Sequence, residues 1–190
     1  MLARKKMFFT PEEYLNMEEA AAYKSEYYNG EIFAMAGGTS DHSLVAVSLT
    51  VELGQQLKGK PCRLYNSDMR LYIKQGGLFT YPDIMVVCGK IEFMANRKDT
   101  LANPLLIVEV LSDSTRAYDR GEKFNFYKTL PTLQEYILVE CETARVERYQ
   151  RAGEKWTVET YEGLDAIVPL ESIDCQVVLK MIYDKVSWVD

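Results

Sequence analysis

The sequence predicts an α/β (α+β) protein in which a central mixed β-sheet is flanked by helices and followed by an antiparallel meander. Helix-type and strand-type segments follow one another as helix, hairpin, long helix, three strands, strand-helix-strand and meander, an order typical of this class. The chain has 190 residues, enough for one core and too few for two ordinary domains. We therefore expect residues 1–190 to form a single domain.

The composition is that of an ordinary globular protein with no overall attraction for nucleic acid. Apolar residues make up 47% and charged residues 26% of the chain, and the net charge is −6, so any basic patch must be local. No apolar run approaches the roughly 18 residues that a membrane span requires. The apolar stretch after Arg4-Lys5-Lys6 is too short for a secretory signal. These features predict a cytoplasmic protein without a membrane anchor.

The cysteines show no metal-binding spacing. No Cys-x-x-Cys pair occurs, and most of the four lie in strand-like segments: Cys62, Cys88, Cys141 and Cys175. This spacing argues against a zinc site and favours buried, reduced thiols.

The first third of the chain predicts two helices and a hairpin. Thr10-Pro11-Glu12-Glu13 has the residues of a helix start, and that helix should end near Met17. Asn29-Gly30 is the strongest two-residue turn signal for a hairpin between Ser25–Tyr28 and Ile32–Met35. Thr39-Ser40-Asp41 then caps a helix to about Lys58. Its apolar residues recur every four positions and should pack on the core: Val45, Leu49, Leu53 and Leu57.

The remaining elements are mainly strands. After a short segment at Arg63–Tyr65, residues 69–74 alternate, which places Arg70 on the solvent face. Phe79–Val87 and Leu105–Leu111 are the two most apolar strands, and a helix follows the second as far as Leu130, before Pro131. The later segments predict the meander and an ambiguous apolar tail: Glu135–Glu140, Arg145–Gln150, Lys155–Tyr161 and Ile173–Val189.

The most informative feature is a single acid in each of the two apolar strands, Asp83 and Glu109. A buried carboxylate must be paired, neutralised or bound to a metal. If the two strands are neighbours, the carboxylates converge. Two oxygen ligands with open positions suit Mg²⁺ or Mn²⁺, which keep several waters and bind phosphates. This pair predicts metal-assisted hydrolysis of a phosphodiester.

The helix after Glu109 supplies cations to the same region. Arg116, Arg120, Lys123 and Tyr127 are spaced four, three and four residues apart, so a regular helix places them on one face. Lys123 could then reach the carboxylates, orient the attacking water and offset charge in the transition state.

The ordered set of motifs resembles the PD-(D/E)xK nuclease superfamily and, more fully, its Uma-type family of restriction-endonuclease-like proteins. The usual lysine position, two residues after the second acid, is Leu111 here. In the Uma-type family the lysine has moved to the following helix, where Lys123 matches it. The matching segments are Ser25–Ile32 with Met35 and His42, Pro82-Asp83, Glu109–Arg116 with Asp119-Arg120 and Lys123, and Glu135-Tyr136.

The resemblance implies the restriction-endonuclease-like fold and a metal ion, Mg²⁺ or Mn²⁺, held by Asp83, Glu109 and the backbone carbonyl of Val110. It implies an endonuclease that cuts DNA and acts as a homodimer, since cleavage of a duplex in this superfamily usually needs two active sites. Lys123 completes the catalytic set, and Glu26 is an accessory acid near the metal.

Each residue also has a simpler interpretation. Asp83 and Glu109 could face solvent from edge strands, and Lys123 could be a surface lysine. Arg116 and Arg120, which we assign to phosphate contact, could instead pair with acids of their own helix. Tyr127 could pack in the core, and His42, the only histidine, could cap a helix, pack, or approach the site as an accessory residue.

Two other functions remain open at this stage. The fold could serve as a binding module for nucleic acid or protein without turnover, which the negative net charge favours, or it could hydrolyse small nucleotides or RNA. No Gly-x-Ser-x-Gly or Gly-x-x-x-x-Gly-Lys motif is present, which argues against a serine hydrolase and a phosphate-loop protein.

Overall fold

The computed structural model describes residues 8–35 and 37–188. The helices are α1 (Pro11–Ala20), α2 (Ser40–Gln56), α3 (Arg116–Tyr118, a π turn at Asp119–Lys123, and Phe124–Tyr127) and α4 (Leu179–Ile182), with a 3₁₀ turn at Glu171–Ile173. The strands are β1 (Ser25–Tyr28), β2 (Glu31–Ala34), β3 (Cys62–Asn66), β4 (Arg70–Ile73), β5 (Leu78–Thr80), β6 (Ile84–Cys88), β7 (Thr100–Leu101), β8 (Leu106–Leu111), β9 (Glu135–Glu140), β10 (Arg145–Ala152), β11 (Lys155–Glu162), β12 (Ile167–Leu170) and β13 (Cys175–Val178).

A six-stranded mixed sheet forms the centre of the molecule, in the order β11-β10-β9-β8-β6-β3. Strands β8 and β9 run parallel and the other neighbours run antiparallel. The predicted meander is therefore continuous with the central sheet. Helix α2 covers one face through Val45, Leu49 and Leu53, which are buried against β6 and β8 as their spacing predicts. Helix α3 and the second sheet cover the other face.

The second sheet has the order β2-β1-β5-β4-β7. One of its strands, β5, includes the first residues of the segment Phe79–Val87, which the sequence predicted to be a single strand. The chain from Phe79 to Val87 divides, so that β5 joins the second sheet and β6 joins the central one. The break falls at Tyr81-Pro82-Asp83, where proline has no N–H to donate to a ladder. Asp83 therefore lies at the start of β6, beside the gap between the two sheets.

The N-terminal elements follow their local signals. Thr10 caps α1 through a hydrogen bond from the Glu13 N–H, although the helix continues beyond Met17 to Ala20. The hairpin turns at Asn29 and Gly30, which both have the positive φ of a type I′ turn (49° and 86°).

Arg70 is buried, which corrects its predicted solvent-facing position. Its Nε donates to the Tyr81 hydroxyl at 2.8 Å, and its guanidinium also reaches Thr100 and Asp99. These partners come from distant parts of the chain. The alternating pattern could not reveal them, because it records hydrophobicity and not tertiary partners.

Cys62 and Cys88 form a disulfide, so the prediction of reduced thiols was wrong for this pair. The two residues lie opposite each other where β3 pairs with β6, and Cys141 and Cys175 are free. The strand register, which brings the two sulfurs together, was not available from the spacing of cysteines along the chain.

Reduction of this disulfide is expected to lower the free energy of unfolding by about 3 kcal/mol, because the bridge closes a loop between residues 26 positions apart. Urea unfolding with and without a reductant measures the difference. The double variant Cys62→Ala/Cys88→Ala should unfold at the same urea concentration in both conditions. A parent protein that is insensitive to the reductant would contradict the prediction.

The chain ends are partly described. The predicted tail resolves into the 3₁₀ turn, β13 and α4, while its last residue, Val189, and the basic segment Arg4–Lys6 lie outside the described residues. Within residues 8–35 and 37–188, no helix is long and apolar enough to cross a membrane.

Candidate active site

Asp83 and Glu109 meet at the end of the central sheet because β6 and β8 pair antiparallel, with Ile84 opposite Val108. The Asp83 N–H donates to Glu109 Oε2 at 3.4 Å, and the Val110 N–H donates to Asp83 Oδ2 at 2.8 Å. The structure thus places the two carboxylates side by side, as expected for neighbouring strands. The backbone of β8 fixes the orientation of Asp83.

Glu109 is held by two side chains of α3. Tyr127 donates its hydroxyl hydrogen to Glu109 Oε1 at 2.6 Å, and Lys123 Nζ lies 2.9 Å from the same oxygen. Glu109 and Lys123 are only 4% and 6% exposed, which excludes the solvent-facing interpretation of both. Tyr127 is fully buried and combines core packing with this polar contact.

Two further carboxylates surround Lys123. Its Nζ lies 3.5 Å from Glu26 Oε1 and 3.3 Å from Asp119 Oδ1. Glu26 reaches the site from β1 and also accepts a hydrogen bond from Thr80. Asp119 is buried, and no residue in the described part of the chain forms a hydrogen bond with its Oδ1. Sequence reasoning placed Asp119 in the matching motif but gave it no role in the site; its spacing of four residues from Lys123 was the available signal.

The π turn at Asp119–Lys123 divides the helix face that the spacing predicts. Lys123 and Tyr127 face Glu109, whereas Arg120 turns to β9 and β10, where it lies 2.6 Å from Glu140 and 3.0 Å from Glu147. Arg116 also binds Glu140, at 3.0 Å. The structure does not bring the two arginines to the carboxylate pair, because the wider turn changes the angular spacing along the helix.

His42 approaches the site from the first turn of α2. Its Nε2 lies 3.4 Å from Asp83 Oδ2. The contact with Asp83 is the main reason that the pKa of His42 is raised, against the effect of burial, and the Val110 backbone contributes to the same rise. A protonated imidazole has only N–H donors, so the Val110 group that it faces is the carbonyl. Of the three interpretations of His42, the structure supports an approach to the site.

These groups line one cavity of about 330 Å³. Asp83, Glu109, His42 and Lys123 lie on its wall, and the other lining residues include Gly38, Ser112, Ser114, Thr115 and Tyr118. The site therefore combines carboxylates, a buried ammonium and open space for a substrate group.

The pKa values of the central pair reflect burial and mutual attraction. Burial raises the pKa of Glu109 to about 8, opposed mainly by the ammonium of Lys123. Burial lowers the pKa of Lys123, but the surrounding groups, Glu109 first, outweigh it and hold that pKa well above its ordinary value. Lys123 therefore remains charged at neutral pH, while Glu109 takes up a proton more readily than an exposed glutamate.

The metal-free protein is expected to lose stability as the pH rises from about 4.5 to about 8. Glu109 binds its proton more tightly in the folded state, with a pKa of about 8 against 4.5, so its contribution is complete below 4.5 and lost as the pH passes 8. Urea unfolding at pH 5 and pH 8 in the presence of a chelator tests this. Glu109→Gln should remove much of the dependence, and an equal dependence in both proteins would refute the assignment.

The donor groups fit a hard divalent cation. Asp83, Glu109 and the Val110 carbonyl are oxygen donors at one end of the sheet, the type that Mg²⁺ and Mn²⁺ prefer. No group of three or more His, Cys, Asp or Glu side chains in the described part of the chain is already gathered to hold an ion. A magnesium-type ion does not require such a group, because one or two carboxylates together with waters and substrate phosphates complete its coordination shell.

The fold is the restriction-endonuclease-like fold. A crystal structure from Anabaena variabilis, described as a putative nuclease belonging to DUF820, matches it with a TM-score of 0.75. The match covers 93% of this chain and 98% of that chain, at 21% sequence identity.

Residues 11–181 match the family Uma2, "Putative restriction endonuclease", and the chain belongs to this family. Two relatives from Synechocystis sp. (strain ATCC 27184 / PCC 6803 / Kazusa) are described as uncharacterized proteins. One, sll1609, is 39% identical over 158 residues, covering 83% of this chain and 89% of the relative. The other, slr1290, is 38% identical over 177 residues, covering 92% and 90%.

Proposed function

We propose that this chain is a divalent-metal-dependent endonuclease that hydrolyses phosphodiester bonds in DNA. The observation that carries the proposal is the contact of the buried Lys123 ammonium with Glu109, beside Asp83, on the wall of an open cavity. A structural ion pair has no need of an adjoining second carboxylate and a cavity. Membership of a family described as restriction endonucleases supports the same function.

Asp83, Glu109 and the carbonyl of Val110 would hold the ion, Mg²⁺ or Mn²⁺. When bound, such an ion lowers the pKa of a water and polarises the phosphate. Asp83 is kept in position by the Val110 N–H, and Glu109 by the Tyr127 hydroxyl. The protein thus presents its donor atoms in a fixed arrangement before substrate arrives, which reduces the reorganisation needed during the reaction.

Lys123 would act on the phosphoryl group from its position beside Glu109. Its raised pKa keeps the ammonium charged, so that it can orient the attacking water and stabilise negative charge that develops on the phosphate. Glu26 and Asp119 hold Nζ between them, which limits the rotation of the long side chain. Their negative charge also means that the site, without a cation, repels a phosphodiester.

Arg116 and Arg120 remain our assignment for phosphate contact beyond the scissile bond. Arg116 is the more available of the two, because part of its pairing is with Asp113 and Glu142, which are exposed. Those pairs are weak in water and can exchange for phosphate oxygens. We also propose a homodimer, so that two such sites act on the two strands of a duplex.

Cleavage of a supercoiled plasmid tests the function. The parent protein should nick and linearise the plasmid with Mg²⁺ or Mn²⁺ and should be inactive with a chelator. A short RNA and a mononucleotide diester, assayed in parallel, distinguish a DNA endonuclease from the alternative hydrolases. Binding of Mn²⁺ without hydrolysis of any of these substrates would contradict the proposal and favour a binding module.

A further inference from the structure

We infer that the imidazole of His42 is an additional ligand of the proposed metal ion and biases the site toward Mn²⁺ over Mg²⁺. The inference rests on the proposed metal site at Asp83 and Glu109. It adds a nitrogen donor from α2 to a set that is otherwise made of oxygens. It also specifies the class of ion, which the carboxylates alone leave open.

The position of the ring supports this role. The Nε2 of His42 is 3.4 Å from Asp83 Oδ2, longer than the roughly 2.9 Å of a good N–H···O hydrogen bond. Two ligand atoms at right angles, each about 2.1 Å from one ion, are roughly 3 Å apart. The observed separation is therefore close to that of neighbouring ligands. The Val110 carbonyl, already assigned to the ion, faces the same ring.

The chain also makes room for the ring at this position. A Cβ added to Gly38 would lie 2.8 Å from His42 Nδ1 and 3.1 Å from its Cγ, whereas a Cβ added to Gly37 would meet no atom of residues 8–35 and 37–188 within 4 Å. Thr39 fixes the base of the side chain by accepting the His42 backbone N–H. The imidazole is thus held between the glycine and Asp83, with Nε2 directed at the carboxylate.

The donor chemistry selects the ion. Imidazole binds Mn²⁺ and the later divalent metals better than Mg²⁺, which prefers oxygen donors. The described residues hold no preformed group of three side chains, so the imidazole would move toward the ion as it binds, while the hydrogen bonds to Asp83 and Glu109 keep the carboxylates in place. His42 is the only histidine in the chain, and a nitrogen signal from imidazole can therefore be assigned without ambiguity.

Pulsed electron paramagnetic resonance of the Mn²⁺-loaded full chain, prepared without a histidine tag, tests the inference directly. The parent should show the ¹⁴N modulation of a coordinated imidazole, and His42→Gln should lack it. In the same variant the Mn²⁺ dissociation constant should rise about tenfold or more, while that for Mg²⁺ should rise less than about threefold. Glutamine can still donate a hydrogen bond to Asp83, so a merely positioning role would leave both constants nearly unchanged.

The two glycines supply a matched pair of variants that leave the histidine in place. Gly38→Ala should displace the ring and weaken Mn²⁺ binding, and Gly37→Ala should not. The inference would be overturned, and the proposed function left intact, by one result: the parent binds Mn²⁺ without ¹⁴N modulation, and Asp83→Asn does not bind it. Mn²⁺ binding that persists in Asp83→Asn would overturn both, because the ion would lie elsewhere.

Discussion

Replacing Asp83 by asparagine is expected to lower the rate of plasmid cleavage by on the order of a thousandfold or more, because a metal ion that polarises the phosphate is worth several kcal/mol of transition-state stabilisation. The substitution keeps the shape of the side chain and an oxygen that can accept the Val110 N–H. The fold should therefore remain intact. Single-turnover cleavage with Mg²⁺ and with Mn²⁺ measures the effect.

Asp174→Asn is the matched control, because Asp174 pairs with Lys60, beyond the C-terminal end of α2 and away from the site. That variant should cleave at the rate of the parent. Asp83→Asn with a cleavage rate within about tenfold of the parent would refute the role of Asp83 in metal binding and, with it, the proposed mechanism.

Replacing Lys123 by methionine is expected to lower the free energy of unfolding by roughly 3–5 kcal/mol at pH 8, the usual cost of breaking a buried ion pair. Methionine fills similar space but leaves Glu26, Glu109 and Asp119 without their shared cation. The loss should be smaller at pH 5, where a buried carboxylate can be neutralised by a proton. Urea unfolding at pH 5 and pH 8 measures the loss in the free energy of unfolding at each pH.

Two variants complete that measurement. Lys155→Met, at an exposed position of β11, should change stability by no more than about 0.5 kcal/mol. Adding Glu109→Gln to Lys123→Met should recover part of the loss, because it removes one of the unpaired charges. Lys123→Met with the stability of the parent would show that Lys123 is not the counter-ion of this cluster.

The meeting of Asp83 and Glu109 could be predicted from the sequence because it depends on local signals. Each acid interrupts an apolar segment, and an apolar segment predicts a buried strand. Asp83 is half-buried at the start of β6 and Glu109 is buried in β8, so both acids need polar partners at the same end of one sheet. The α2 face and the cap at Thr39 follow equally local rules, and the structure confirms them.

The rest of the site depends on contacts between distant segments. The division of residues 79–87 between two sheets falls at Pro82, and hydrophobicity alone does not reveal which sheet each half joins. The burial of Arg70 and the pairing of Cys62 with Cys88 likewise depend on partners far along the chain. The direction of the Arg120 side chain depends on the π turn. The spacing of residues along the sequence predicts a shared face only for a regular helix.

The π turn makes the backbone path between Asp119 and Lys123 as important as the identity of the residues in it. If the same residues formed a regular α-helix, the turn would contain one residue fewer and every side chain beyond it would rotate by about 100°. Lys123 and Tyr127 would then point away from Glu109 together, although no functional residue had been substituted. Within this stretch of α3 the protein is therefore expected to tolerate many exchanges at exposed positions such as Glu122, but not a change that makes the same residues form a regular helix.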